Sequence, residues 1–262
     1  MTARTTGMVD MESNTTLVQC YPAHEAVPEG PGPFPPVLVL HDRFGLTPHF
    51  KGIANRLAAE GFYALAPSFY ATPSSVADVA PEFLRPAVPA HFDYTREEEA
   101  EARAGILSDG RAEEILRQAL DYLALRAASR NGPCGVLGFS MGARLAFLAA
   151  CRFPADVRAA ACFYGKGIGS ATATQLGRPR PLDLAESLQA SLLLFYGQLD
   201  TTISRKERAL VERRLSLLAK DFRVEVFRDA GEDFFCDERD THRIHASKVA
   251  WEETLALFRR CL

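Results

Sequence analysis

Long apolar runs are missing from this sequence. The longest, such as Val37–Leu40 and Ser191–Tyr196, fall far short of the roughly 20 residues that a membrane span requires, so no membrane partner is expected. A basic block is missing too. Lys and Arg number 30 against 33 Asp and Glu, a formal charge of −3, which leaves nothing to neutralise a phosphate backbone and argues against nucleic acid as a partner. The six cysteines, at 20, 134, 151, 162, 236 and 261, form no C-x-x-C pair, and three lie in apolar stretches that read as core. Neither a disulfide framework nor a zinc site is expected. Internal repeats and low-complexity tracts are absent. Met1 to Ser13 carries acids and has no apolar segment behind a basic start, unlike a secretory or transit peptide, so a cytoplasmic chain is expected.

What the sequence does contain is an alternation of periods. Val37–Leu40, Tyr63–Ala66, Cys134–Gly138, Ala159–Tyr164, Ser191–Tyr196 and Arg223–Phe227 are short apolar or β-branched runs, the kind a buried parallel strand uses. Leu17–Tyr21 reads as an edge strand. Between these runs the apolar residues recur at helical spacing. Phe50, Ile53, Ala54, Leu57 and Ala58 make one stripe, with Gly61 where a C-cap glycine belongs; Leu116, Leu120, Leu123 and Ala127 make another. Further helices begin at Met141, carry Val211, Leu215 and Leu218, and carry Trp251, Leu255, Phe258 and Leu262. Strands alternating with helices of this length predict a mostly parallel, doubly wound α/β sheet with helices on both faces. The expected organisation is a flexible segment at 1–14 followed by a single domain over 15–262. Residues 71–109, rich in proline and acids, read as an excursion that ends in a helix and roofs a pocket.

In an open parallel sheet the ligand site lies beyond the carboxyl ends of the strands. After the run at Cys134 comes Gly138-Phe139-Ser140-Met141-Gly142, a G-x-S-x-G between a predicted strand and a predicted helix. Such a turn is too sharp for side chains to pass, and it exposes the Ser140 hydroxyl at a helix N-terminus with the Met141 amide as an oxyanion donor. The bland alternative is an ordinary glycine-lined turn. After Val37–Leu40 comes His41-Asp42-Arg43-Phe44-Gly45, placed to give a second oxyanion donor from the Arg43 amide. The Arg43 guanidinium reads either as a partner for a substrate carboxylate or as an exposed loop arginine. Asp42, Phe44 and Phe139 are the candidate pocket residues. After Ser191–Tyr196 comes Gly197-Gln198-Leu199-Asp200. Asp200, sixty residues beyond the serine, fits the chain order Ser, Asp, His of such an architecture and is the candidate triad acid, although an Asp before Thr201-Thr202 also reads as a turn cap.

With these motifs in view, the sequence resembles the dienelactone hydrolase family of α/β hydrolases. The likeness is carried by Val39 to Leu46, by Ala59-Glu60-Gly61-Phe62-Tyr63-Ala64-Leu65-Ala66-Pro67, by the Ser140 elbow, by Phe163-Tyr164-Gly165, by Gly197 with Asp200 and by Ala250 to Leu255, over roughly residues 17–262. It implies hydrolysis of small esters or lactones by a nucleophile, an acid and a histidine, with no cofactor and no metal. The expected partner is a small-molecule substrate or ligand, and the chain is expected to be a monomer or a homodimer.

Three positions depart from the family pattern. Ser140 stands where cysteine is usual, and Asp42 where glutamate is usual. In the segment that carries the family's histidine, here Ala230-Gly231-Glu232-Asp233-Phe234-Phe235, Glu232 occupies the imidazole's place. A serine needs its proton removed more than a thiol does, and a carboxylate with an ordinary pKa near 4.3 is a poor base unless burial or a neighbour raises it. His242 and His245 are the nearest substitutes; His41 reads as a structural histidine. Three functions are therefore weighed: a serine hydrolase with Glu232 as an unusual base, a binding or regulatory protein on the same fold, and a divalent-cation site built from Asp42, Asp200 and Glu232.

Overall fold

A computed structural model describes residues 4–11, 21–70, 94–170 and 180–262. The chain divides into two compact units, Met1–Gly132 and Pro133–Leu262.

In the first unit the strands are β1 (Arg4–Met11), β2 (Tyr21–Val27), β3 (Pro36–Leu40) and β4 (Tyr63–Pro67), in the order β1-β2-β4-β3. β1 and β4 both pair antiparallel with β2, whereas β3 and β4 are parallel with Pro36 opposite Tyr63. The backbone at Arg4–Met11 is thus a strand in the stretch read as flexible. An outer strand needs no apolar run, because backbone pairing alone can hold it. Of the strand expected at Leu17–Tyr21, residues 17–20 lie outside the described residues and Tyr21 opens β2. All five residues of β3 and of β4 are buried, as expected for strands covered on both faces. Helix α1 (Pro48–Ala59) starts with proline at its first position and buries Phe50, Ile53, Ala54, Leu57 and Ala58. Gly61 ends it with φ +92°; Gly61 N–H donates to Ala58 O at 3.1 Å and Phe62 N–H to Leu57 O at 3.0 Å, the paired bonds of a Schellman cap. Of the excursion read at 71–109, residues 71–93 lie outside the described residues. Its end is α2 (Glu97–Ile106), followed by α3 (Asp109–Leu125), whose N-cap Ser108 accepts the Arg111 N–H.

The loop after β3 is anchored by His41. Its side chain is fully buried, with ring neighbours Phe69 and Tyr70, each at 5.2 Å between centroids. Nδ1 lies 2.7 Å from the Asp42 carbonyl and Nε2 accepts the Phe69 N–H at 3.0 Å. A carbonyl can only accept, so Nδ1 carries the proton and the imidazole is neutral.

The second unit is a parallel half-sheet in the order β5-β6-β7-β8: β5 (Cys134–Phe139), β6 (Val157–Phe163), β7 (Ser191–Gly197) and β8 (Phe222–Phe227). Helix α4 (Met141–Arg152) packs on β5 and β6 and is buried from Gly142 to Cys151. Helix α5 (Arg205–Leu217) buries Arg208, Val211 and Leu215, and α6 (Ile244–Cys261) packs on β6 and β7. A 3-10 turn at Pro181–Ser187 lies against α4. The outer strand β8 carries Arg223, which pairs with Glu253 at 2.8 Å and Glu225 at 3.2 Å. Cys134, Cys151, Cys162 and Cys236 are buried, and burial pushes the Cys151 thiol up to about 12, so it is an inert packing group.

Burial lowers the His41 pKa from 6.5 to about 4. Between these values the unfolded chain binds a proton that the folded chain refuses, so stability is full above pH 6.5 and falls as pH drops towards 4, by roughly 3 kcal/mol in total. Urea unfolding from pH 7 to pH 4 should show this slope, and His41→Gln should flatten it.

Candidate active site

Because β5 to β8 are parallel, the loops that follow β5, β7 and β8 all leave the half-sheet at its carboxyl edge. Ser140, Asp200 and Glu232 therefore share that edge. Ser140 sits between β5 and α4 at φ 49° and ψ −112°, a conformation that L residues rarely adopt and that is retained where a site requires it. Sterics show why the turn is so sharp: a Cβ on Gly138 would stand 2.1 Å from the Gly142 carbonyl oxygen. The Ser140 amide donates to Phe163 O at 2.9 Å, and its carbonyl accepts from Ala143 and Arg144 at 3.1 and 3.2 Å, so the backbone of the elbow is tied on both sides. Met141 is the first residue of α4, and its N–H belongs to the first-turn groups that have no acceptor within the helix.

Of the two readings of Asp200, its Oδ1 answers the turn cap. Oδ1 accepts the Thr202 N–H at 2.7 Å, the Thr202 hydroxyl at 2.8 Å and the Ile203 N–H at 3.1 Å, which is the turn cap. Oδ2 is buried with no hydrogen-bond partner among the described residues. In a triad that oxygen would accept the imidazole N–H.

The loop with Glu232 is fastened beside this turn. Gln198 N–H donates to Phe227 O at 2.8 Å and Leu199 N–H to Ala230 O at 2.9 Å. A Cβ on Gly197 would meet Ala230 O at 2.4 Å and Gly231 O at 2.5 Å, so the two loops touch backbone to backbone. Beyond Glu232, Asp233 takes φ +58° and its buried carboxylate pairs with Arg239, while Phe234 O accepts from the Arg243 N–H and the Ser247 hydroxyl, each at 2.9 Å. Aromatic rings complete the fastening. Phe139, next to the serine, lies 5.4 Å from Phe235 and 4.7 Å from Phe163, and Phe163 lies 4.7 Å from Phe195. Phe139 is thus fully buried packing under the elbow, not an open pocket wall. His242 and His245 precede and begin α6, and His245 is exposed. With Asp200 Oδ2 unpartnered, neither fills the imidazole's place.

In the first unit, the loop after β3 differs from both readings of Arg43. The side chain is neither exposed nor open to a ligand carboxylate: it is 7% exposed, paired with Glu97 at 2.9 Å and Glu101 at 3.6 Å on α2. The Asp42 carboxylate accepts the Phe44 N–H at 2.8 Å, which makes it a brace within its own loop, and the Phe44 ring packs edge-on to Tyr94 at 5.2 Å. Among the described residues no group of three or more His, Cys, Asp or Glu converges to hold a metal ion.

Two residues near the acid turn escaped the sequence reading. Glu207 follows Ser204 by three, the spacing of a capping box, and Ser204 Oγ does accept the Glu207 N–H at 3.1 Å. The Glu207 carboxylate, however, reaches across to the Gly169 N–H at 3.2 Å. Burial raises its pKa, the backbone N–H groups of Gly169, Gly167 and Ser170 oppose this, and the charge of Asp200 adds to the rise. Arg208 is buried and bonded to Gly197 O; its signal was a charge on the apolar stripe of Val211 and Leu215.

A parallel sheet with a strained serine at a strand-to-helix elbow and an acid after a later strand is the architecture of an α/β hydrolase. The dienelactone hydrolase family model matches residues 22–262, and the chain belongs to that family. A relative from Escherichia coli O157:H7, provisionally named a carboxymethylenebutenolidase, is 30% identical over 248 residues, covering 91% of this chain and 82% of its own. Another of the same provisional name, from Synechocystis sp., is 29% identical and covers 89% of both chains. The crystal structure of a protein provisionally named a dienelactone hydrolase, from Klebsiella pneumoniae subsp. pneumoniae, superposes with a TM-score of 0.80 at 25% identity, covering 98% of this chain and 99% of its own. No helix among the described residues is long and apolar enough to cross a membrane.

The contact at Gly197 generates a prediction. Gly197→Ala forces a Cβ into two carbonyl oxygens, and overpacking of this kind costs about 1–3 kcal/mol. Thermal unfolding should show a Tm lower by roughly 2–4 °C for each kcal/mol.

Proposed function

We propose that the chain is a serine-dependent hydrolase of small esters, thioesters or lactones in which Glu232 takes the place of the usual imidazole. The observation that carries this reading is the elbow: Ser140 holds φ 49° in a turn whose Gly138 has a carbonyl oxygen where its Cβ would be. A packing turn has no need of such strain, whereas a nucleophile presented at a helix N-terminus does. In the proposed reaction the Ser140 hydroxyl attacks the substrate carbonyl as its proton passes to the Glu232 carboxylate. The Met141 N–H supports the oxyanion. Collapse expels the alcohol or thiol with that proton, and water then releases the acyl group from Ser140 by the same steps. A carboxylate is a weaker base than imidazole, so turnover is slow and favours good leaving groups such as aryl esters.

A fluorophosphonate probe should label Ser140, and Ser140→Ala should abolish both labelling and aryl-ester hydrolysis. Hydrolysis unchanged in Ser140→Ala overturns Ser140 as the nucleophile and puts the activity at another site, whereas no labelling of the wild-type protein overturns the reading in favour of a binding protein on this fold.

Glu232→His is the sharper test, because Asp200 Oδ2 is already an acceptor in want of a donor. The new imidazole should donate to it and turn its other nitrogen towards Ser140, raising kcat/KM on an aryl ester by at least roughly a hundredfold, about 2.7 kcal/mol of barrier. A folded variant with an unchanged rate counts against the assigned geometry.

A further inference from the structure

We propose that Arg208 is a positioning residue, which locks the turn carrying Asp200; the role rests on Asp200 being the acid of the proposed hydrolase. The chain leaves β7 at Gly197, turns through Asp200 and enters α5 at Arg205. From α5, Arg208 reaches back, and its Nη1 donates to the Gly197 carbonyl oxygen at 3.2 Å. The same oxygen accepts the Asp200 N–H at 3.4 Å, a long bond that by itself closes the turn only weakly.

The surroundings of this arginine set it apart from a surface charge. Arg208 is 7% exposed, and the centre of its guanidinium lies 5.9 Å from the Tyr196 ring. Buried arginines are normally paired with carboxylates. Among the described residues none pairs with Arg208; its hydrogen bond goes to a backbone carbonyl instead. The geometry makes that carbonyl the hinge of the acid turn. Asp200 Oδ1 is tied forward to Thr202 and Ile203, just ahead of α5, and Arg208 ties α5 back to Gly197. Together the bonds close a ring through residues 197–208, and Asp200 Oδ2 sits on that ring with no bond of its own to hold it. Glycine at 197 is obligatory for the contact with Ala230, which leaves the turn no side chain there to stiffen it. A fixed carboxylate is what a proton-transfer site needs, since small misplacements of reacting groups lower rates steeply.

The test compares the intact wild-type protein with Arg208→Gln and Arg208→Met, which remove the charged donor, and Arg208→Lys, which keeps one. Two readouts are taken: hydrogen exchange of the Asp200 amide relative to the β6 amides, and the rate at which a fluorophosphonate labels Ser140. The Gln and Met variants should each speed relative exchange at Asp200 by about tenfold and slow labelling by about tenfold, while Arg208→Lys recovers most of both. Either of the two variants that folds suffices. Relative exchange within twofold of wild type overturns the proposal whatever happens at Ser140. Faster exchange with unchanged labelling overturns it too, because the turn would then be loosened without consequence. Failure of the functional reading is seen separately, as a wild-type Ser140 that does not label at all.

Discussion

Two carbonyl oxygens occupy the space where side chains at Gly138 and Gly197 would begin. The Gly142 oxygen is 2.1 Å from the first position and the Ala230 oxygen 2.4 Å from the second. Both approaches lie at the carboxyl edge of the β5 to β8 half-sheet, and the candidate site hangs on them. The first bends β5 into α4 within a single residue and leaves Ser140 in its strained conformation. The second lays the Asp200 turn against the loop of Glu232. No attraction is responsible; what these contacts require is the absence of an atom, and only glycine supplies that. The aromatic rings of Phe139, Phe163, Phe195, Phe234 and Phe235 then fill the layer beneath, so the loops above have little room to shift.

The electrostatics proposed for the site turn on the residue type at position 232. An imidazole at position 232 would give Asp200 a donor for its second oxygen and serine a base near neutral pH. With glutamate there, Asp200 retains three hydrogen bonds on Oδ1 and none on Oδ2. A buried acceptor without a partner among the described residues is an unfavourable arrangement. Its neighbour Glu207 is raised by burial and, to a smaller extent, by the same Asp200 charge, so a second negative charge beside Asp200 is disfavoured.

Much of this was legible in the sequence, for stated physical reasons. The six runs became β3 to β8 within two residues at either end; β3 to β7 are almost wholly buried, and such strands leave a continuous apolar signature, while β8 shows the alternation of an outer strand. The stripe from Phe50 to Ala58 and the glycine at 61 gave α1 and its cap. The elbow was legible because its steric demand falls on neighbours in the chain. What failed to show was tertiary. β1 is held by backbone pairing to β2, which leaves no periodic mark. Arg43 looked like a loop arginine because its partners, Glu97 and Glu101, lie more than fifty residues away. Glu207 fitted a local capping pattern and was taken by a distant loop instead. Arg208 broke the apolar stripe of α5, a conflict between charge and position of the kind that tends to mark functional ground.

The outer strand β8 ends the half-sheet with Arg223 joined both to Glu225 and to Glu253. An unpaired strand edge is a template for another chain, and charges set along it oppose docking of a flat apolar strand. The molecule therefore guards against sheet-to-sheet aggregation at the margin closest to the Glu232 loop.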